Sequence, residues 1–473
     1  MHADHTHSTG WLHGPRLWAV SALLGAGVGV LWAVLMPATM GSGGRPVVPL
    51  VLVVPFGLLL ASVAVLPLVR PRWWHRHYPD VALFLGGVVC AYYLTALRAS
   101  VGPSQVVHTA VEYLAFIALI GGLYVVSGGV RVSLGAPASP VANTLFLLLG
   151  AVLSNLVGTT GASMLLIRPF MEANQGRLRP LHVVFFIFIV SNCGGLLTPI
   201  GDPPLYLGFV KGVPFFWTFA CLWRSWLLVV GVMLAVFFAF DAWTWRRAGR
   251  AMFGAWWPRV RVECSPWTMV VLVCMVGAVF IDPVLGRFVD LHHVPVGAMV
   301  QVMLAAVGYA TARSGLREAN DFSFEPVKEV GLLFAGIFLT MMPALAYLAV
   351  NGSRLGVATP SSFYFATGAL SAVLDNAPTY LNFLQVSIAP ADVSRAAIAG
   401  MLGTADGRLT LEAISCGAVF FGAMTYIGNG PNFMVRAIAE RAGVRMPSFF
   451  TFAGLACLLL LPVLVLHWLV IIR

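Results

Sequence analysis

The stretch Ser191-Asn-Cys-Gly-Gly-Leu-Leu-Thr198-Pro-Ile-Gly-Asp202-Pro-Pro204 decides the fold. It lies between the apolar runs 183–190 and 205–210, yet it contains three glycines, three prolines and a carboxylic acid. Proline removes a backbone donor and disfavours helical geometry at the residue before it. Because each apolar run is shorter than the roughly 20 residues of a membrane span, we predict one broken span and not a loop between two short spans. Its free backbone groups must be buried in protein or line a polar cavity.

The rest of the chain has the composition of a polytopic membrane protein. Of its 473 residues, 59% are hydrophobic and 10% are charged, and apolar runs of span length recur throughout. The sequence therefore predicts an all-α fold with about 11 spans in the lipid bilayer. We place them at 17–37, 47–69, 81–98, 112–130, 183–210 (broken), 217–240, 267–282, 294–312, 329–350, 410–440 (broken) and 449–471.

Other classes of protein are disfavoured. The net charge of +10 does not indicate nucleic acid as a partner, because the basic residues lie between apolar runs, where membrane topology explains them. The seven cysteines lie in or beside spans without a Cys-x-x-Cys pair, so they predict neither disulfides nor a metal site. The histidines at 2, 5, 7 and 13 leave a weak metal site open, although a disordered polar tail is favoured. Nothing resembles a hydrolase triad, a haem ligand pair or a nucleotide-binding loop, so we do not expect an enzyme.

Two further apolar regions, 141–171 and 361–390, are interrupted near their middles. The first contains Ser154-Asn155 and Gly158-Thr159-Thr160-Gly161, and the second contains Asp375-Asn376-Ala-Pro-Thr379. Each arm is only about 10–14 residues long, which suits a re-entrant hairpin better than a full crossing. With the N-terminus in the cytoplasm, this topology places most of the 28 Lys and Arg residues on the inner side. The first hairpin then enters from the cytoplasm and the second from the outer side.

The chain also repeats itself. Glu112 and the apolar run after it parallel Glu329 and its run; Leu153-Ser154-Asn155 parallels Leu374-Asp375-Asn376; and Thr198-Pro-Ile-Gly-Asp202 parallels Thr425-Tyr-Ile-Gly-Asn429. By the charge topology the two halves run in opposite directions, which is the inverted repeat of secondary transporters. We predict a cytoplasmic tail (1–16), an additional span (17–46), a first repeat (47–240), a cytoplasmic linker (241–266) and a second repeat (267–473).

An inverted repeat brings both hairpin tips and both broken helices to the bilayer midplane, where ions and substrates bind. Oxygen atoms from neutral side chains and from exposed backbone suit Na⁺ better than a soft metal. A glycine beside them allows the backbone to approach an ion closely. The candidate ion-coordinating residues are Ser154, Asn155, Thr159, Thr160, Asn192, Thr198, Gly201, Asn376, Thr379, Thr425 and Asn429.

Asp202 and Asp375 are the candidate ion- and proton-binding acids. A carboxylate at bilayer depth costs about 2.5–3.5 kcal/mol on insertion scales, so it usually marks an ion or proton pathway. Burial favours a protonated carboxyl group and a nearby cation favours the carboxylate, so proton and sodium can compete there. The alternative is that each acid caps a half-helix. Glu112 and Glu329 begin their predicted spans, where we interpret them as complementing the helix dipole, with a role in a proton path as the alternative.

Ser191-Asn192-x-Gly-Gly with Thr198-Pro-Ile-Gly-Asp202, and the hairpin Asp375-Asn376-x-Pro378-Thr379, resemble the ion transporter superfamily. Over residues 47–471 the chain is similar to NhaD-type sodium/proton antiporters and related citrate transporters. The resemblance implies a scaffold domain, a transport domain that moves in an elevator-like cycle, a homodimer, and a bacterial inner (plasma) membrane. It assigns ion and proton binding to Asp202 and Asp375, with Na⁺ and H⁺ as coupling ions and no other cofactor. The residues that it places beside the acids are Asn155, Asn192, Thr198, Asn376 and Thr379.

The sequence departs from these antiporters at two places. Pro203-Pro204-Leu205 follows Gly-Asp where they tend to have hydroxyl residues, and Asn429 stands in place of a second acid. Ser154-Asn155-Leu156 matches only in part the Ser-Asn-Thr hairpins of divalent-anion symporters. Because Lys and Arg avoid the predicted site, sodium/proton antiport is favoured. An ion-coupled transporter of citrate, another carboxylate or an oxyanion such as arsenite is the alternative, since helix N-termini can bind anions.

Overall fold

The computed structural model describes residues 14–37, 39–40, 46–99, 101–134, 139–247, 260–285, 294–320 and 322–473. Within them the chain forms helices and two small antiparallel sheets. The helices are α1 (Gly14–Leu35), α2 (Val54–Val69), α3 (Pro71–Thr95), α4 (Gly102–Ser127), α5 (Pro140–Ala173), α6 (Pro180–Ile189), α7 (Pro203–Lys211), α8 (Trp217–Arg247), α9 (Pro266–Ala278), α10 (Ile281–Leu285), α11 (Val296–Thr311), α12 (Ser314–Ala319), α13 (Glu325–Asn351), α14 (Pro360–Ser371), α15 (Asn376–Ile388), α16 (Arg395–Leu402), α17 (Ala405–Phe421), α18 (Gly430–Arg441), α19 (Phe449–Leu459) and α20 (Leu461–His467).

The all-α polytopic class is confirmed. In the part of the chain that is described, nine helical segments are long and apolar enough to cross a membrane, and α9 and α11 are shorter apolar helices. Two helices begin well before their predicted spans: α3 at Pro71 and α4 at Gly102. Their first turns carry polar residues, which a hydropathy pattern leaves out of the helix.

Helix α5 is the first predicted hairpin. Its geometry breaks at Gly158, which has a φ of 78°. The ring centroids of Phe146 and Phe170 lie 5.9 Å apart, and Asn143 Nδ2 donates to Asn174 Oδ1 at 2.8 Å. A continuous helix would separate residues 143 and 174 by about 46 Å. The two arms therefore fold back on each other, as predicted.

The second hairpin consists of α14 and α15, with its tip at residues 372–375. A ring from each arm packs against the other: the centroids of Phe363 in α14 and Phe383 in α15 are 6.5 Å apart. Both hairpins thus lie within a few residues of the predicted regions 141–171 and 361–390.

Both predicted broken helices are present. The first consists of α6 and α7 with a 3₁₀ turn at Cys193–Leu197 between them, and the second of α17 and α18 with a 3₁₀ turn at Gly422–Met424. Residues 183–190 of the first are fully buried, as expected for a helix that is apolar on every side. A glycine is required at Gly201, because a Cβ atom there would overlap the carbonyl oxygen of Gly195.

The sequence did not predict the strands β1 (Thr39–Met40), β2 (Pro46–Val47), β3 (Val130–Leu134) and β4 (Val260–Cys264). Strand β1 pairs with β2, and β3 pairs with β4, with Arg131 opposite Glu263. Strand β4 falls in the predicted linker 241–266, of which residues 248–259 lie outside the described residues. So do residues 1–13 of the predicted tail, with their four histidines.

The chain divides into two compact units. The first comprises Met1–Tyr113 and Lys328–Tyr347, and the second comprises Leu114–Val327 and Leu348–Arg473. In the first unit α1 packs closely on α3, where Gly29 lies against the backbone of Val88. The second unit contains both hairpins, both broken helices and every candidate ion-binding residue.

The interpretation of Glu112 as a first-turn residue is wrong. Because α4 begins at Gly102, Glu112 lies in the middle of the helix, where it is buried and 2.9 Å from His108 Nε2. Glu329 lies in the second turn of α13.

Candidate ion-binding site

Asp202 is the point at which the hairpins and the broken helices meet. Its side chain is only 1% exposed. Oδ1 accepts hydrogen bonds from Thr159 Oγ1 at 2.7 Å and from Asn429 Nδ2 at 3.1 Å, and Oδ2 accepts one from Asn376 Nδ2 at 2.7 Å. Thr159 and Asn376 belong to the two hairpin tips, so the tips converge on one carboxylate as the repeat predicts.

The two acids are placed differently. Asp202 immediately precedes α7, but its side chain makes no capping hydrogen bond to that helix. Asp375 Oδ1 instead accepts a hydrogen bond from Ala377 N at 3.0 Å and so caps α15. Asp375 is half-buried and lies close enough to interact electrostatically with Asp202. The capping interpretation therefore describes Asp375 and not Asp202.

Asn376 supplies a second oxygen atom beside this carboxylate. Its Nδ2 donates to Asp202, whereas its Oδ1 is buried and has no hydrogen-bond partner in the part of the chain that the structure describes. Leaving a buried acceptor unpaired costs about 1–3 kcal/mol. A hard cation could satisfy this oxygen. The Asp202 carboxylate and Asn376 Oδ1 are thus the candidate oxygen ligands for a hard cation.

A network of asparagines orients the other partner of Asp202. Asn429 Nδ2 lies 3.1 Å from Asn192 Oδ1, and Asn192 Nδ2 donates to Asn432 Oδ1 at 2.7 Å. Asn432 in turn donates to the carbonyl oxygens of Gly422 and Thr425 at 2.8 and 2.9 Å. Asn432 is fully buried. The sequence analysis did not select it, although it directly follows Gly430-Pro431 at the second break.

Four of the remaining candidates hold the hairpins against the breaks. Their polar side-chain atoms bond to the backbone: for example, Asn155 Nδ2 donates to Gly194 O at 2.7 Å, and Asn155 Oδ1 accepts from Leu197 N at 2.8 Å. Thr379 donates within its own helix to the carbonyl of Asp375 at 2.9 Å. The candidates with such backbone bonds are Ser154, Asn155, Thr198, Thr379 and Thr425.

Equivalent hydrogen bonds correct the proposed match between the hairpins. Thr198 donates to Asn155 O and Thr425 donates to Ala372 O, each at 2.6 Å. Likewise Ser154 donates to Val190 O at 2.8 Å, and Ser371 donates to Ala418 O at 2.7 Å. Ser154 therefore corresponds to Ser371, and its predicted match with Asp375 is wrong.

The corrected match gives the two donors at the hairpin tips equivalent positions in the two halves. At the same spacing of 217 residues, Thr159 corresponds to Asn376, and both donate to Asp202. Gly158, where the first hairpin bends, then corresponds to Asp375. Asp202 itself keeps its predicted match with Asn429, which is one of its hydrogen-bond partners.

A small cavity adjoins Asp202. It is lined by Thr159, Thr160, Gly201, Asp202, Tyr206 and Leu119 among others. Thr160 is half-buried there. The cavity has room for a water-sized guest, and it is too small for a tricarboxylate in this conformation.

The charges at the site are those of the two acids and the partial charges of three helix ends. Among the residues described, the hydrogen-bond donors to Asp202 are neutral side chains. Three helices begin beside them, since α7 follows Asp202, α15 follows Asp375 and α18 follows Asn429. Helix N-termini carry a partial positive charge, which stabilises anionic groups nearby.

Membrane-spanning helices, paired hairpins and broken helices that converge on a buried acid are features of secondary transporters. The protein is therefore an integral membrane protein of the transporter class. Residues 45–472 match the model of a family described as "Putative citrate transport", and the chain belongs to that family. No curated protein matches the sequence.

Proposed function

We propose that this transporter is a sodium/proton antiporter in which Asp202 binds the two ions in turn. The observation that carries the proposal is a fully buried carboxyl group whose hydrogen-bond partners among the described residues are neutral. A buried charge without a counter-charge costs several kcal/mol, so Asp202 requires either a proton or a bound cation. Exchange of one for the other is antiport chemistry.

The hydrogen-bond partners of Asp202 are compatible with both its sodium-bound and its protonated state. With Na⁺ bound, the carboxylate and Asn376 Oδ1 act as ligands. With a proton bound at Oδ1, the acid donates to the Thr159 hydroxyl, because a hydroxyl group can accept as well as donate. The amide nitrogens of Asn376 and Asn429 can only donate, so Thr159 is the partner that accommodates the change. Alternating access, by an elevator-like movement within a homodimer, then exposes the loaded site to each side in turn.

Ion-coupled transport of citrate, another carboxylate or an oxyanion such as arsenite is the second candidate. It is favoured by the family description and by the three helix N-termini beside the site. In that case a cation on Asp202 would couple to an anion bound at the helix ends. The small cavity beside Asp202 supports the exchange of small cations instead.

The experiment is a proteoliposome assay that follows the internal pH after pulses of Na⁺, Li⁺ or K⁺, run beside uptake of labelled citrate. We expect cation-induced proton flux that Asp202→Asn abolishes. Asp406→Asn, which changes an exposed acid at the start of α17, is the matched control and should retain exchange. Citrate uptake without cation/proton exchange in the wild type would replace this proposal by the second candidate.

A further inference from the structure

A groove of about 780 Å³ lies on the surface of the second unit, away from Asp202 and its hydrogen-bond partners. Helix α8 lines it with Trp223, Arg224 and Leu227, and α17 contributes Glu412. Val470 and Ile471, in the last helical turn of the chain, complete the lining. The ion-exchange mechanism uses none of these residues.

The groove contains one positive and one negative side chain. Glu412 is half-buried, and its Oε1 accepts a hydrogen bond from Ser225 Oγ at 2.7 Å. The guanidinium group of Arg224 lies 5.4 Å from the centroid of the Trp223 ring. The two charges attract each other, but within the described part of the chain they form no direct ion pair. Together, Arg224 and Glu412 can therefore contact a ligand that carries one negative and one positive charge.

Arg224 and Glu412 occupy matching positions near the starts of their helices. Arg224 is the eighth residue of α8 and Glu412 is the eighth residue of α17, so each lies about 10 Å from the start of its helix. Trp223 is of the type that anchors helices at the membrane interface. The apolar part of the groove is exposed, with Leu227 at 56% and Val470 at 62%. An acyl chain can cover this surface.

We propose that the groove binds a phospholipid with a primary-amine zwitterionic headgroup, of the phosphatidylethanolamine class. Its phosphate would pair with Arg224 and its ammonium group would donate to Glu412, while one acyl chain lies along Leu227 and Val470. An anionic headgroup would leave Glu412 facing a negative charge. A quaternary choline headgroup has no N–H to donate to that carboxylate.

The test is native mass spectrometry of the delipidated full chain, titrated with dioleoyl lipids that differ only in headgroup. We expect phosphatidylethanolamine to bind roughly tenfold more tightly than phosphatidylcholine, as expected for one charge-assisted hydrogen bond. It should also bind more tightly than phosphatidylglycerol. Equal binding of the three lipids, or a preference for phosphatidylglycerol, would overturn the proposal.

Two variants assign the headgroup contacts. Glu412→Gln should remove the preference for phosphatidylethanolamine over the other two lipids, and Arg224→Gln should weaken binding of all three. Arg354→Gln and Glu440→Gln change exposed charges outside the groove and should leave the preference intact. A preference in the wild type that persists in Glu412→Gln would also refute the assignment. If a variant fails to fold, the headgroup preference of the wild type still decides the matter.

Discussion

At the scale of single residues, Asp202 and Asp375 are expected to behave differently when each is changed to asparagine. Asp202→Asn removes the charge on which exchange is proposed to depend. Asp375→Asn keeps a side-chain oxygen that can accept the hydrogen bond from Ala377 N, so it should retain exchange. Asp375→Ala removes the cap and should cost about 1 kcal/mol of stability. The measurements are cation-induced proton flux and thermal unfolding of the purified variants. If Asp375→Asn abolishes flux while remaining folded, Asp375 carries an ion or a proton itself.

The side chain of Asn376 offers a second test at this scale. Asn376→Ala deletes both the donor to Asp202 Oδ2 and the unpaired Oδ1, so the half-saturating Na⁺ concentration should rise about tenfold, the equivalent of roughly 1.4 kcal/mol. Thr379→Ala is the matched control three residues away, because among the described residues its hydroxyl bonds to the backbone of Asp375 and not to Asp202. An equal increase in both variants would indicate that Asn376 acts through the hairpin's structure and not as a ligand.

The residue types of the site could be predicted from the sequence, but their partners could not. Polar side chains and an acid inside apolar runs marked Asp202, Thr159, Asn376 and Asn429 as a group. Which of the neutral donors bond to the acid depends on side-chain direction at the hairpin tips. Asn155 was predicted to coordinate the ion, yet its amide bonds to the 3₁₀ turn at Cys193–Leu197. That choice depends on geometry between residues about 40 positions apart.

At the scale of elements, a buried ionic network at the base of the first hairpin was missed. Asp241, near the end of α8, is fully buried. It accepts hydrogen bonds from Arg177 Nη2 at 2.6 Å, from Asn143 Nδ2 at 2.7 Å and from His182 at 3.1 Å. Asn143 also bonds to Asn174 on the other arm. The network therefore joins both arms of α5 to α6 and α8. The sequence did contain a signal for this network, because Asp241 is an acid directly after the predicted span 217–240.

Removing the charge of Asp241 should destabilise this junction. Asp241→Asn breaks the ion pair between this buried acid and Arg177, and breaking such a pair typically costs about 3–5 kcal/mol. The double variant Asp241→Asn/Arg177→Gln should recover part of that stability, because no unpaired charge remains. Thermal unfolding in detergent, analysed as a double-mutant cycle, measures the coupling. Additive effects of the two substitutions would show that the pair contributes little beyond its separate parts.

The hairpins and broken helices were predictable because their signals are local. Prolines and glycines within apolar runs mark where a helix must stop, and arm length separates a hairpin from a crossing. The pairing of β3 with β4 was not predictable in this way. Val130 and Cys264 are partners across more than 130 residues. Both strands alternate apolar and polar residues, Val-Arg-Val-Ser-Leu and Val-Arg-Val-Glu-Cys, but a pattern of five residues does not identify its partner. The start of α4 was also missed, since Ser104, Gln105, His108 and Thr109 interrupt the apolar pattern before Glu112.

At the scale of the whole molecule, the inverted repeat makes a prediction about membrane sides. The charge topology places the base of the first hairpin in the cytoplasm and the base of the second outside. Gln175, after the first hairpin, and Ala391, after the second, are both exposed. With the exposed Cys274 and Cys457 changed to serine, Gln175→Cys and Ala391→Cys provide one reporter at each base.

A membrane-impermeant maleimide applied to intact cells should label Ala391→Cys directly and Gln175→Cys only after permeabilisation. The expectation depends on the excess of basic residues on the cytoplasmic side, and on hairpins whose arms return to the side from which they came. The observed folding-back of α5 and of α14 onto α15 satisfies the second condition. Labelling of both reporters from the same side would mean that the halves are not inverted. The two tips could then converge on Asp202 only if the chain between the two hairpins crossed the membrane once more or once less than predicted.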